Sequence, residues 1–305
     1  MDLIKAGFRI PLRYPFRGVR YREGVLLRGP QGWGEYSPLP GYTDGGEHRC
    51  LLSARESATE PWPRPQRTLI PVHVTVPAIG PEEASALVRE SGCAAAKVKV
   101  AEGDDEARVE AVRDALGPSG RLVIDANGAW ELDEARRALD VLGRYGLDLA
   151  EEPVSGLDQL AKLRRITDVP LAADESVTTV QAAMKAKELE AADVLVVKVQ
   201  VLGGVREALR AVEASGLPAI VSSMLETSVG VSAGLALAAA LPVLPFPCGL
   251  AVTSLLMGDL VTEPLAPEGG SLQLRRPEVD EAALKAFAAP ARLPGEEVNG
   301  KLVSL

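Results

Sequence analysis

The sequence predicts an α/β protein, a (β/α)7β TIM-like barrel with an α+β capping domain built from the N-terminal segment plus the C-terminal tail. Three observations predict it. From Leu69 onward, apolar strand-like runs alternate strictly with helix-compatible stretches. The polar residues that end those runs recur once per strand–helix unit. Residues before about 68 read differently, as short strands between Gly and Pro turns. The expected division is a cap over 1–68, a barrel over 69–266 and a returning segment over 267–305. The 305 residues are enough for a barrel of about 250 residues and a smaller unit.

Taken in order, Phe8 to Leu12 and Val25 to Arg28 read as short antiparallel strands. Gly32 to Gly41 reads as a turn-rich loop carrying Trp33 and Tyr36. Such a loop is ordinarily a surface connection, and Trp33 to Tyr42 could also act as a lid, since lids need glycine hinges and apolar tips. Pro61, Pro63 and Pro65 mark a linker. The barrel pattern then gives a strand over 69–76, a helix over 81–90 with Pro81 in its first turn, a strand over 95–100 and a helix over 104–116 with an acidic start. Strands follow over 122–125, 148–151, 171–174, 194–198 and 219–222, each with a helix-compatible stretch after it. An eighth strand over 244–249 is weakened by Pro245 and Pro247. In the tail, 271–274 reads as a strand and 279–287 as a helix, expected to pack on the N-terminal unit.

The composition excludes several function classes. Hydrophobic residues make up 47% and charged residues 25% of the chain, as in ordinary globular proteins. A net charge of -9 argues against a nucleic-acid partner and an anionic membrane surface. It does not exclude a small anionic substrate, because local lysines or a metal override the global sign. Cys50, Cys93 and Cys248 lie far apart in no CxxC spacing, which fits a reducing compartment without disulfides or zinc. The N-terminus lacks the basic-then-apolar start of a signal peptide, so a cytoplasmic location is expected. Thr227 to Gly258 carries no charge, but its prolines and glycines suit a buried helix and strand rather than a membrane span.

The site candidates begin at Lys97-Val98-Lys99. In a strand these two lysines point to one face, about 7 Å apart. Taken alone the pair suits an exposed edge strand. The downstream register changes that reading. Lys99, Asp125, Glu151, Asp174, Lys198 and Ser222 end successive apolar runs at spacings of 26, 26, 23, 24 and 24 residues, one βα unit each time. A barrel places all of them at the C-terminal rim, where active sites of this fold lie. Three converging carboxylates without histidine or thiolate suit a hard cation, Mg²⁺ with Mn²⁺ as the alternative. One of them, Asp174 above all, could instead cap the helix that follows. Lysines flanking a metal suggest proton abstraction next to a carboxylate, with the charge stabilised by the metal. A lysine base needs a lowered pKa, towards which Lys97 pushes and the carboxylates pull back.

The ordered motifs KVK (97–99), IDANGAW (124–130), LAEEP (149–153), AADES (172–176), VVKVQVLGG (196–204) and SSMLETSVG (222–230) resemble the enolase superfamily, in its muconate-lactonising subgroup. The resemblance implies a Mg²⁺-dependent enzyme with Asp125, Glu151 and Asp174 as metal ligands and Lys99 as the base. It implies Lys97 as the supporting lysine and Lys198 as the lysine on the opposite face. Asn127 and Glu175 fall where the family has groups that orient ligands or lysines. The mandelate-racemase branch needs a late-strand histidine, whereas the histidines here are His48 and His73, and His73 reads as a hydrogen-bonded barrel residue. The dipeptide-epimerase branch has an Asp-x-Asp at the end of the eighth strand, where this chain has Pro247 to Thr253 without an acid. The Gly249-Leu250 to Thr253 pattern, after SSMLETSVG, resembles the o-succinylbenzoate synthase family of menaquinone biosynthesis. That resemblance implies dehydration of a cyclohexadiene carboxylate, with Ser222 and the Gly249 backbone receiving its succinyl carboxylate and Glu226 nearby. Three alternatives stay open: an N-acylamino-acid racemase or muconate-type cycloisomerase, a non-catalytic barrel, and a phosphate-binding barrel using Gly203-Gly204.

Overall fold

A long hairpin begins the chain. In the computed structural model, which describes residues 3–40, 45–294, 297–298 and 301–302, β1 (Ile4–Phe16) runs antiparallel to β2 (Val19–Gly29). The turn is the pair Arg17-Gly18, both at positive φ, 48° and 77°, the backbone whose twist matches that of the flanking strands. These strands are two to three times longer than the runs the sequence suggests. β3 (Gly32–Tyr36) pairs on the other side of β2, and α1 (Gly46–Thr59) covers it. The first half of the expected 32–41 loop is therefore a strand. Gly32, at φ 115°, leads the chain out of the preceding turn, but Gly34 is not a turn residue: a Cβ on it would stand 1.9 Å from the carbonyl oxygen of Ala54, so Gly34 lets the helix lie against the sheet. Gly41 and Tyr42, the far end of the expected lid, lie outside the described residues.

The barrel follows the predicted alternation. It comprises β4 (Leu69–Val76), α2 (Pro81–Ser91), β5 (Ala95–Lys99), α3 (Asp105–Leu116), β6 (Arg121–Asp125), α4 (Leu132–Leu142), β7 (Leu149–Glu151) and α5 (Leu157–Arg164). Then come β8 (Leu171–Ala173), α6 (Val180–Glu188), β9 (Val194–Lys198), α7 (Val199–Leu202), α8 (Val205–Ser215), β10 (Ala219–Ser222), α9 (Ser228–Ala240) and β11 (Cys248–Ala251). Each strand is parallel to the next, and β11 closes the ring on β4 through Cys248–Val72 and Ala251–Val74 pairs. The eighth strand thus starts at Cys248, four residues later than expected, because Pro245 and Pro247 cannot donate to a ladder.

Strand alternation sorts the side chains. Ala96, Val98, Leu122 and Ile124 face outward into one core with helix residues such as Val109 and Val112. Val123, Leu149, Ala172, Val194, Val196 and Ile220 form a separate inner layer that plugs the barrel. Lys97, Lys99, Asp125, Glu151 and Lys198 share the parity of that inner layer and stand above it. The uncharged stretch is the buried helix α9 followed by β11, as a helix apolar all round should be. Among the described residues no helix is long and apolar enough to cross a membrane. After the barrel, β12 (Ser271–Gln273) pairs antiparallel with the start of β4. Beyond α10 (Glu281–Ala286) the chain reaches β1, where Arg9 donates to Phe287 (2.8 Å) and Ala289 donates to Gly7 (3.0 Å).

Cap and barrel meet in a buried polar seam. Glu35 of β3 accepts hydrogen bonds from Ser37 Oγ (2.6 Å), Thr227 Oγ1 (2.5 Å) and the Gly230 amide (3.0 Å). Gln200 donates to Glu226 and to Ser37 Oγ, both at 3.1 Å. Burial, with the nearby Glu226 carboxylate, pushes Glu35 from its ordinary 4.5 up to about 7. A carboxyl raised in the folded state contributes stability that is full below pH 4.5 and lost as the pH rises to about 7. Unfolding free energy should therefore fall across that window. Glu35→Gln, whatever its absolute stability, should show a shallower fall when melting is followed against pH.

Candidate active site

The barrel register brings the sequence-predicted residues to one rim. Lys99 pairs in register with Asp125, and Asp125 with Glu151. Asp174 follows β8 directly, Lys198 ends β9, and Ser222 ends β10 opposite Gly249. Oxygen atoms of Asp125, Glu151 and Asp174 all lie within 4.8 Å of one another, and all three residues are buried. Carboxylates at that separation repel by about 3.5 kcal/mol per pair at an effective dielectric of about 20, so a buried cluster needs cations.

Three ammonium groups supply them here. Lys97 Nζ lies 2.6 Å from Glu151 Oε1 and 3.2 Å from Asp125 Oδ2. Lys99 Nζ lies 2.5 Å from Asp125 Oδ2 and 2.7 Å from Asn127 Oδ1. Lys198 Nζ lies 2.5 Å from Asp174 Oδ2 on the opposite side. The two strand neighbours differ in their electrostatics. Burial lowers the Lys99 pKa, and Lys97 adds to that against the pull of Asp125. Burial also acts to lower Lys97, but Glu151 and Asp125 outweigh it and the pKa is raised.

Around this centre, Asn127 stands at φ 49°. It donates from its backbone to Asp125 Oδ1 (3.0 Å) and from Nδ2 to Glu175 Oε1 (3.1 Å), tying a carboxylate, Lys99 and Glu175 together. Glu152 turns away from the cluster, accepting from the Asp174 amide (2.7 Å) and the Ser176 hydroxyl, and burial pushes it up to about 8. His73 lies buried beneath the site, where burial and then Lys97 press it down to about 3, so it is a neutral barrel residue. Glu226 does not reach the chamber. Its carboxylate accepts from its own loop at Met224 N (2.6 Å) and from Gln200.

Two features escaped the sequence. The tip of the β1–β2 hairpin covers the rim: the Phe16 ring lies 4.9 Å from Lys99 Nζ, and Arg17 pairs with Glu175 at 2.8 Å. Arg17-Gly18 between two extended runs was the available signal for that turn. Leu39 and Leu225 line the chamber beside Ser222, and only the folded cap brings Leu39 there. The expected lid thus contributes Leu39, while the larger share of the cover comes from the hairpin. Outside the tip, a cavity of about 470 Å³ has Lys99 and Asn127 in its wall. Finally, the Gly203-Gly204 helix start already holds an anion of this chain. Glu56 accepts from the Arg206 amide (3.3 Å) and guanidinium (2.9 Å), and a Cβ on Gly204 would overlap its carboxylate. A phosphate site there is overturned.

A buried carboxylate triad flanked by lysines at the mouth of a capped barrel defines a class, and comparison with known proteins agrees with it. Residues 81–278 match the family model described as enolase C-terminal domain-like, and residues 8–58 match the enolase N-terminal domain-like model. The chain belongs to the enolase superfamily. It is 51% identical to the o-succinylbenzoate synthase of Thermobifida fusca, over 96% of this chain and 97% of that one. It is 41% identical to the o-succinylbenzoate synthase of Mycolicibacterium smegmatis, over 92% and 88%. Among solved structures, muconate lactonizing enzyme from Pseudomonas fluorescens superposes with a TM-score of 0.83 at 23% identity, covering 94% of this chain and 98% of that one.

The chamber floor gives a direct test of this geometry. A Cβ on Gly249 would stand 2.6 Å from Ser222 Oγ and 3.1 Å from His73 Nε2. Gly249→Ala should leave the melting temperature within a few degrees and weaken binding of small-molecule ligands that enter this chamber at least about tenfold by calorimetry.

Proposed function

We propose that this chain is a Mg²⁺-dependent o-succinylbenzoate synthase. It would convert 2-succinyl-6-hydroxy-2,4-cyclohexadiene-1-carboxylate to o-succinylbenzoate and water, a step of menaquinone biosynthesis. The observation that carries the reading is the 51% identity to an enzyme of that name over nearly the whole of both chains. The facing lysines give that reading a mechanism.

The donor set fits a hard dication: three carboxylates converge, and histidine and thiolate take no part. Asp125, Glu151 and Asp174 would hold Mg²⁺, with Mn²⁺ as a substitute. When bound, the ion supplies electrostatic stabilisation of negative charge developing on the substrate's ring carboxylate. Charge balance supports this. Three carboxylates face Lys97, Lys198 and the base Lys99, so with Lys99 neutral a dication turns a site one charge negative into one a single charge positive, suited to an anionic substrate.

Lys99 is the base in this reading. Its lowered pKa and its contact with Asn127 supply a lysine that can lose its proton and keep its position. Lys99 Nζ takes the proton alpha to the ring carboxylate, giving an enediolate. The bond from the neighbouring ring carbon to its hydroxyl then breaks, and hydroxide leaves as water with that proton from Lys99. Lys198, across the cluster, stays protonated and offsets the enediolate charge. Lys97, raised and bridged to two carboxylates, acts by its charge. Ser222 and the Gly249 backbone receive the succinyl carboxylate. The innermost chamber holds only about 30 Å³, room for roughly one water, and Phe16 and Arg17 line both it and the larger cavity outside.

Dehydration followed by absorbance tests the reading. Activity should vanish in excess chelator and return with Mg²⁺; full activity in chelator would contradict it. Lys99→Ala should lower kcat at least about 10³-fold while Mg²⁺ affinity stays within about threefold. Asp174→Asn should weaken Mg²⁺ activation at least about tenfold.

A further inference from the structure

One guanidinium in the seam has no part in the mechanism above, yet it touches both loops that shape the far wall of the chamber. Arg22, on β2, is 2% exposed. Its Nε donates to the Leu225 carbonyl at 3.1 Å, and its other nitrogens donate to the carbonyls of Ser37 and Pro38, the latter at 3.4 Å. The first acceptor lies on the barrel loop after β10, three residues past Ser222. The other two lie on the cap segment after β3, immediately before Leu39. Each of these loops sends one leucine into the chamber, Leu225 and Leu39.

The barrel loop does not hold this shape by local preference alone. Leu225 sits at φ 58°, a left-handed backbone that costs a branched residue about 1–2 kcal/mol. Something outside the residue must hold it, and its carbonyl is the group Arg22 grips. A buried guanidinium is itself costly. Here the Glu35 and Glu226 carboxylates supply opposite charge, since both act on Arg22 electrostatically. Glu226 also braces the same loop by accepting from Met224 N at 2.6 Å.

We propose that Arg22 is a positioning residue for substrate selection. By clamping the Ser37–Pro38 and Leu225 carbonyls together, it sets Leu39 and Leu225 as one apolar wall, which receives the methylene portion of the succinyl chain, away from the reacting ring. This rests on the dehydratase reading for the identity of that portion, not for the existence of the wall. The wall contacts a part of the substrate that does not change during reaction, so it binds ground state and transition state alike. Its loss raises KM and leaves kcat nearly unchanged.

The test uses the Mg²⁺-loaded enzyme and two variants. Arg22→Lys keeps positive charge opposite Glu35 and Glu226 but cannot span three carbonyls. Leu225→Ala removes half of the wall and leaves the clamp. Each should raise the dehydration KM at least about tenfold with kcat within about threefold. Because Arg22 acts through the wall, Arg22→Lys in the Leu225→Ala background should raise KM by less than about threefold more. Backbone amide exchange in Arg22→Lys should accelerate in the segments 37–39 and 224–227. A fall in kcat that tracks the folded fraction at constant KM, fully multiplicative KM effects, or unchanged exchange in those segments would each overturn the proposal. If the wild-type enzyme does not dehydrate the substrate, the dehydratase reading fails on its own, and the exchange measurement still decides the role of Arg22.

Discussion

Mutual repulsion of three buried carboxylates is the constraint on which this active site depends. Asp125, Glu151 and Asp174 are close enough that their three pairwise repulsions sum to about 10 kcal/mol. That is comparable to the entire stability of a typical folded domain, about 5–15 kcal/mol. The barrel can keep the triad only by delivering positive charge to the same place, and strand alternation does so. Lys97 and Lys99 reach one side of the cluster from β5, and Lys198 reaches the other from β9. The result is a centre whose acids suit a cation and whose lysines suit an anion. Both properties come from one geometric fact, the inward parity of residues at successive strand ends.

The cap turns this centre into a closed site. Its hairpin tip lays Phe16 over Lys99 and ties Arg17 to Glu175, which in turn holds Asn127 against Lys99. The other end of the cap joins the barrel through the seam of Arg22, Glu35, Gln200 and Glu226. The seam carries two carboxylates against one guanidinium, so it is less evenly balanced than the site it supports. That imbalance makes cap docking sensitive to pH while the chemistry at the rim is set separately.

The barrel and its rim were legible in the sequence because they rest on short-range rules. Apolar runs mark strands, and one polar residue per βα unit marks the rim, so Lys99, Asp125, Glu151, Asp174 and Lys198 could be read from spacing alone. The pairing of Asp125 with Glu151, and of both with Lys97, follows from the same register. The cap was less legible because its determinants are long-range. Gly34 looks like a turn residue until α1 is seen lying on the strand. Phe16 and Arg17 carry no chemical signature, and their place above Lys99 depends on how the hairpin sits on a barrel loop more than 80 residues away. Arg22 could not be found at all, since a lone arginine in a strand reads as surface. The eighth strand was misplaced for a local reason, since its prolines hid where the ladder begins.

Dehydration is one chemistry open to this site; the same lysines across the same triad could also move a proton from one face of an N-succinyl amino acid to the other. Competing the two substrates under one set of conditions, with Mg²⁺ saturating, separates these outcomes. The assignment predicts a kcat/KM for dehydration of the succinyl-hydroxycyclohexadiene carboxylate at least about 100-fold above that for alpha-proton exchange of N-succinyl amino acids in heavy water, about 2.7 kcal/mol in transition-state binding. Faster exchange than dehydration would contradict it.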